Sequence, residues 1–334
     1  MSTIGLIGLG RIGAFHADTL SNLPGVDGLV ITDERPDVVA QVAAKYGAKP
    51  VDSVAELLSS GIDGVVVAAA TPAHAELTLA AVQRGLPTFC EKPVASTAAE
   101  SARVAEIIAG TGVPVQIGYQ RRFDAAFTNA KTIVDSGALG ALHTVRSTTM
   151  DPAPPPMDYI AGSGGIFRDC AVHDFDTVRW IVGREAVEVY ATGSVQGDSR
   201  FAEYGDVDTA AVIVRFDGGT LGVISAARYN ARGYDCRLEV HGFDDTVVAG
   251  WDEGVPVRNT DPNTDFPTGT PHHFFMDRFT EAFRTELGGF LQVVQGAPVQ
   301  GATVADAVEV AWIAEAATES LRLGAPVSIA SVRG

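Results

Sequence analysis

Over the first 120 residues, short runs rich in Val, Ile and Ala alternate with helical stretches. The runs TIGLIG (3–8), DGLVIT (27–32), DGVVVAAA (63–70), LPTFCE (86–91) and VPVQIGY (113–119) predict strands. That rhythm predicts a parallel sheet covered on both faces by helices. The helices are expected at 11–23, 36–46, 54–59, 73–84 and 97–109. Gly85 and Gly110 follow the last two, where a helix end favours a residue able to adopt positive φ.

After residue 120 the rhythm changes. A helix is predicted at about 124–136, followed by GALGALHTVRSTTMD and the Pro-rich DPAPPP, a surface loop by composition. GGIFRDCAVHDFDTVRWIVG predicts one helix starting after two glycines. Five strands follow in VEVYATGS, DTAAVIVRF, TLGVISAARY, YDCRLEVHG and TVVAGWD. FDGGT, between the second and third of these, reads as a tight hairpin, which only antiparallel neighbours permit. Two long helices, 274–295 and 303–323, close the chain. The fold class is therefore α/β: a doubly wound parallel sheet over residues 1–121, then an α+β domain with a largely antiparallel sheet over 122–334.

Length agrees with two domains, since 334 residues exceed one ordinary core. The 41 acidic and 24 basic residues leave a net charge of −17, which repels phosphate backbones and anionic lipid surfaces. Nucleic acid and membrane partners are thereby disfavoured. No apolar run approaches the roughly 18 residues that a membrane span needs. The opening MSTIGLIGLG enters a strand at once without a basic segment or small-residue cleavage site, so a cytoplasmic location is expected. Cys90, Cys170 and Cys236 are widely spaced and odd in number, which predicts buried apolar residues rather than disulfides or a zinc site.

The candidate chemistry begins with Gly8-x-Gly10-x-x-Gly13, directly after a strand and opening a helix. Gly8 permits the tight turn, Gly10 lets backbone approach a pyrophosphate, and Gly13 lets helix and strand pack closely. The N–H groups of the first turn, at Arg11, Ile12 and Gly13, then face the phosphates. Asp33 ends the second strand, 20 residues beyond Gly13, where a carboxylate accepts from ribose hydroxyls and repels a 2′-phosphate. NAD is expected over NADP, with Arg35 partly offsetting the repulsion. Thr71 and Pro72 end the third strand and should line the nicotinamide side of the crevice. His74 either touches cofactor or caps the next helix.

Glu91-Lys92-Pro93 ends the fourth strand at the same crevice, and proline restricts the backbone that carries the Lys92 ammonium. Asp169, His173 and Asp176 recur at i, i+4 and i+7, one face of a single helix, with apolar Cys170, Ala171, Val172, Phe175 and Val178 around the remainder. An ordinary surface ion pair would also use i,i+4 spacing. Together with Lys92, the set suits alcohol oxidation: histidine takes the hydroxyl proton, Asp169 holds the imidazole or the hydroxyl, and the ammonium stabilises the alkoxide. No metal is required.

The Gly8-Gly10-Gly13 turn, EKP at 91–93, GYQRRFD at 118–124 and GGIFRDCAVHDFD at 164–176 resemble the Gfo/Idh/MocA oxidoreductases over nearly the whole chain. The first domain then corresponds to the family's Rossmann domain. Within the family the likeness is to its inositol 2-dehydrogenase branch. The resemblance implies Lys92, Asp169 and His173 as catalytic residues, with His173 the base. It also implies Lys92, Asp169, His173 and Asp176 on substrate hydroxyls, Arg122 near the substrate, and Tyr234, in YNARGYDCRLEVHG, reaching the sugar. Cofactor contacts are implied at Gly8, Gly10, Arg11, Ile12, Gly13, Asp33, Thr71, Pro72, His74, Glu91 and Lys92. Family members bind NAD or NADP and form dimers or tetramers through the open face of the antiparallel sheet. The alternatives are an aldose or deoxy-sugar dehydrogenase or reductase, and a regulator that binds the cofactor without chemistry.

Overall fold

The computed structural model describes residues 1–333. The chain divides into two compact units, Met1–Phe123 with Glu281–Val308, and Asp124–Thr280 with the chain from Glu309 onward. The segment 281–308, assigned by sequence to the second domain, thus returns to the first.

The first unit holds a sheet of β1 (Ser2–Ile7), β2 (Val26–Thr32), β3 (Lys49–Pro50), β4 (Gly64–Val67), β5 (Thr88–Glu91), β6 (Val115–Gly118) and the late β13 (Ala302–Thr303). The spatial order is β13-β6-β5-β4-β1-β2-β3, and every neighbouring pair except β13–β6 is parallel. The chain leaves β1 in one direction and β4 in the other, so the crevice that such sheets offer ligands opens at their carboxyl ends. β4, β5 and β6 are buried at every position, which is why they read as unbroken apolar runs.

The reason for the return of 281–308 is core cover. Helix Thr280–Val294 lays Leu287, Phe290, Leu291 and Val293 onto the same core as Leu6, Leu20, Ile31 and Phe89. The rings of Phe89 and Phe290 lie 5.8 Å apart, and full burial contributes about 1.5–3 kcal/mol for each. Capping follows sequence as well. Thr97 accepts from the Glu100 N–H at 3.2 Å, Pro36 opens helix Pro36–Tyr46, and Gly47 ends it at φ 66°. Gly85 adopts φ 74° as expected, but Gly110 sits at −71° and the positive φ falls on Gly112.

The second unit holds β7 (Leu142–Met150), β8 (Ala186–Ser194), β9 (Thr209–Phe216), β10 (Leu221–Ala227), β11 (Asp235–Gly242), β12 (Thr246–Ala249) and β14 (Val327–Ser328) in the order β12-β11-β7-β10-β9-β8-β14. Only β7–β10 is parallel. β9 alternates buried and exposed residues, so one face of this sheet is open. Helix Val172–Val182 covers the other face, with Val172, Phe175, Val178 and Ile181 buried.

Three predicted elements change. GALGALHTVRSTTMD contains β7, an interior strand between β11 and β10. The helix expected over the whole of 166–182 is two, Ile166–Asp169 and Val172–Val182, separated where the Ala171 N–H reaches back five residues to Ile166 O at 2.8 Å. The helix expected from 274 breaks at Phe279 into Phe275–Arg278 and Thr280–Val294.

Candidate active site

The glycines of the first turn differ in why they are glycine. Gly8 has φ +92°, and a Cβ there would lie 2.5 Å from the Ala69 backbone. At Gly13 a Cβ would lie 2.0 Å from Gly8 O, so this glycine seats helix Arg11–Ser21 on β1. A Cβ on Gly10 would meet nothing within 4 Å. Packing does not demand glycine there, and the open space stands at the N-terminus of an 11-residue helix that has no side-chain cap. A pyrophosphate would fit that cradle, and the first-turn N–H groups of Arg11, Ile12 and Gly13 would be the groups to hold it.

Asp33 follows β2 on the same sheet edge. Its Oδ2 accepts from Leu9 N at 2.6 Å, and its Oδ1 accepts from Arg35 N at 3.0 Å and Arg35 Nε at 2.9 Å. Burial alone would raise this carboxyl's pKa, but the Arg35 side chain and the Leu9 and Arg35 N–H groups outweigh it and hold the pKa below the ordinary value. The ionised acceptor is thus tied to the glycine turn, where a ribose would meet it. Thr71 and Pro72 form a short 3-10 turn soon after β4, half-buried and exposed respectively.

Glu91 is the last residue of β5 and is buried, and the half-buried Lys92 follows it. The Lys92–Pro93 peptide is cis. Glu91 Oε1 lies 2.7 Å from His16 Nε2, which ties the lysine's strand to the helix of the glycine turn. Glu91 therefore braces this turn from inside the fold. His74 braces it as well. Its ring is 2% exposed, with Nδ1 2.7 Å from Pro93 O and Nε2 3.0 Å from Ala69 O. Two carbonyl acceptors can both be satisfied only by an imidazolium. Burial opposes that charge, but Cys90 and the two carbonyls outweigh it and raise the pKa to about 9. Both ring nitrogens are engaged by carbonyls and the side chain makes no cap hydrogen bond, so His74 is not the helix cap that sequence offered as one alternative. It clamps the loops after β4 and β5. Arg122 donates from Nη1 to Asp306 Oδ2 at 3.4 Å.

In the second unit, Asp169 closes helix Ile166–Asp169, and His173 and Asp176 lie one turn apart on the next helix, His173 half-buried and Asp176 1% exposed. The interruption of the helix after Asp169 removes the single-helix face that sequence predicted for all three. The helix start is fixed by Asp206, whose Oδ1 accepts from Ile166 N at 2.9 Å. Asp174, fully buried, accepts from Ser147 Oγ at 2.5 Å and Thr149 Oγ1 at 2.8 Å, pinning the His173 helix to β7. Both Asp169 oxygens are engaged: Oδ2 accepts from Arg228 Nη2 at 2.8 Å and Oδ1 from Tyr159 Oη at 2.9 Å. Tyr234 is 4% exposed, its ring packed on Phe275 and Phe279.

Arg228 and Tyr159 escaped the sequence reading. A signal for Arg228 exists: Gly222, Ile224 and Ala226 alternate inward along β10, so the next inward position is an arginine that burial forces to find anions. Among the described residues no group of three or more His, Cys, Asp and Glu could hold a metal ion, and no helix is long and apolar enough to cross a membrane.

A dinucleotide cradle on a parallel sheet, paired with a second unit that carries His and Asp on short helices, defines a nicotinamide-dependent oxidoreductase class. Residues 2–119 match the model of an oxidoreductase family with an NAD-binding Rossmann fold, and 127–248 match the GFO/IDH/MocA C-terminal domain. The chain belongs to the Gfo/Idh/MocA oxidoreductase family. It is 37% identical over 334 residues to the myo-inositol 2-dehydrogenase of Thermotoga maritima, covering 99% of each chain. It is 35% identical over 331 residues to the inositol 2-dehydrogenase of Rhizobium meliloti, covering 98% of each. A scyllo-inositol dehydrogenase from Lactobacillus casei, solved with NAD(H) and scyllo-inositol bound, superposes with a TM-score of 0.88 at 25% identity, covering 99% of both chains.

Proposed function

We propose that the protein oxidises a secondary hydroxyl of a cyclic polyol to a ketone with NAD, with myo-inositol at carbon 2 the favoured substrate. The observation that carries this reading is the Gly10 cradle beside the Asp33 carboxylate, on the sheet edge from which Lys92 also emerges. The inositol in the names of these relatives supports the polyol. NAD, when bound, supplies the hydride acceptor. His173 takes the hydroxyl proton as hydride leaves the carbinol carbon, Lys92 stabilises the developing alkoxide, and Asp169 accepts a hydrogen bond from the imidazole or a hydroxyl. Asp176, Arg122 and Tyr234 complete the substrate contacts in this reading.

Purified protein with NAD is offered myo-inositol, scyllo-inositol and a set of aldoses and deoxy-sugars, and NADH absorbance is followed. Turnover fastest with an inositol is expected. A clear preference for an aldose moves the substrate class, and silence across the panel with NAD still bound favours a regulator.

Asp33 sets the cofactor in this account. A charge-assisted hydrogen bond contributes about 1.5–3 kcal/mol, so Asp33→Ala is expected to narrow the preference for NAD over NADP by roughly tenfold or more. An unchanged ratio of kcat/KM for the two cofactors removes the ribose assignment.

The open face of the second sheet carries the registered row Tyr190, Ile213, Val223, Arg146, Glu239 and Val248 across six strands. Tyr190, Ile213 and Val248 are 38%, 44% and 54% exposed, a large apolar surface for a monomer to leave in water. This supports association of two or four copies through that face. Light scattering showing a monomer at micromolar concentration contradicts it. The three buried free cysteines support a cytoplasmic location, which cell fractionation checks.

A further inference from the structure

Arg228 follows β10 with a side chain only 3% exposed, and it meets two carboxylates. Nη2 donates to Asp169 Oδ2 at 2.8 Å and Nη1 to Asp151 Oδ2 at 3.4 Å. Asp151 follows β7, and its N–H donates to Ala227 O at 2.9 Å, so the parallel β7–β10 pair delivers guanidinium and carboxylate side by side. Tyr159 occupies the other Asp169 oxygen. With both oxygens accepting hydrogen bonds, one of them charge-assisted, the Asp169 carboxyl is held as an oriented anion.

We propose that Arg228 is a positioning residue for the dehydrogenation: it fixes Asp169 as an ionised acceptor, which leaves His173 as the group that takes the substrate proton. The inference rests on the functional reading above, in which Asp169 and His173 act on one hydroxyl. The groups facing this guanidinium are Asp151, Asp169 and Cys170, with Asp174 beyond the thiol. Burial works against the charge of Arg228, but the Asp169 and Asp151 carboxylates outweigh it and hold the guanidinium protonated. Burial, and next Asp151, push the Cys170 thiol well up, so the cysteine stays neutral. Removing the guanidinium takes away the cation that Asp151 and Asp169 share, which favours the neutral acid at Asp169.

The test compares R228Q, R228K, D169N and the double variant D169N/R228Q for kcat, KM, NAD affinity and pH profile. R228Q is expected to lower kcat about 100-fold through misplacement of Asp169, with NAD affinity within twofold. Its acid limb is expected to steepen from one proton to two, because Asp169 now gains a proton as pH falls through its raised pKa. R228K keeps the positive charge and is expected to recover most of kcat and the one-proton limb, which separates positioning from loss of folding. D169N/R228Q is expected to be no slower than D169N. Wild-type kcat and pH profile in R228Q, or a full additional loss in the double variant, overturns the proposal while leaving the site intact. Wild-type turnover in D169N overturns the reading of the site, and the proposal falls with it.

Discussion

His173→Ala is expected to lower kcat for inositol oxidation by about 10³-fold, within the range that a positioned general base contributes. The substitution keeps a good helix former at a half-buried position, and the neighbouring anchor of Asp174 to Ser147 and Thr149 is untouched. Lys92→Ala is expected to cost about 10²–10³-fold by removing the charge opposite the developing alkoxide. The bracing of its strand through His16–Glu91 and His74–Pro93 survives that change. NAD affinity, read by fluorescence titration, is expected to stay within about twofold in both variants if, as proposed, the glycine turn and Asp33 hold the dinucleotide. Wild-type turnover in either variant removes that residue from the chemistry. A large loss of NAD affinity instead makes its role one of binding.

Gly10→Ala and Gly13→Ala are expected to fail in different ways. A methyl on Gly10 enters open space, so the variant folds with a Tm near wild type but loses NAD affinity by about 10²-fold or more, since the methyl occupies the pyrophosphate's approach. A methyl on Gly13 is driven to 2.0 Å from the Gly8 carbonyl oxygen, so helix and strand must separate and the Tm falls sharply, whatever NAD does. Thermal melts beside NAD titrations separate the two. A Gly10→Ala protein that binds NAD like wild type shows that the open space is not the phosphate site.

The cofactor half was legible because its constraints are local. Strands buried on both faces read as apolar runs, and the three glycines and Asp33 keep fixed offsets along one βαβ unit. The two-residue β3 is too short to carry a pattern. β7 was passed over because LHTVRSTTM buries serine and threonine at inward positions, where Ser147 and Thr149 serve Asp174 rather than an apolar core. Asp169 and His173 were visible as residue types, but the helix break between them was not, because no proline or glycine marks it. The residues that fix Asp169 lie at Tyr159, Asp206 and Arg228. Their contacts are made by tertiary folding, and only the inward alternation along β10 hinted at one of them. His74 shows the reverse: its position at a helix start allowed a cap, whereas its ring is taken up by two carbonyls.

In the proposed reaction an ammonium and an imidazole meet a single alcohol oxygen beside the nicotinamide. A crystal structure with NAD and myo-inositol bound tests it most directly. One inositol hydroxyl is expected within hydrogen-bonding distance of both Lys92 Nζ and a His173 ring nitrogen, its carbon facing nicotinamide C4. A bound polyol that touches only one of these side chains, or that holds its carbon away from the ring, contradicts it.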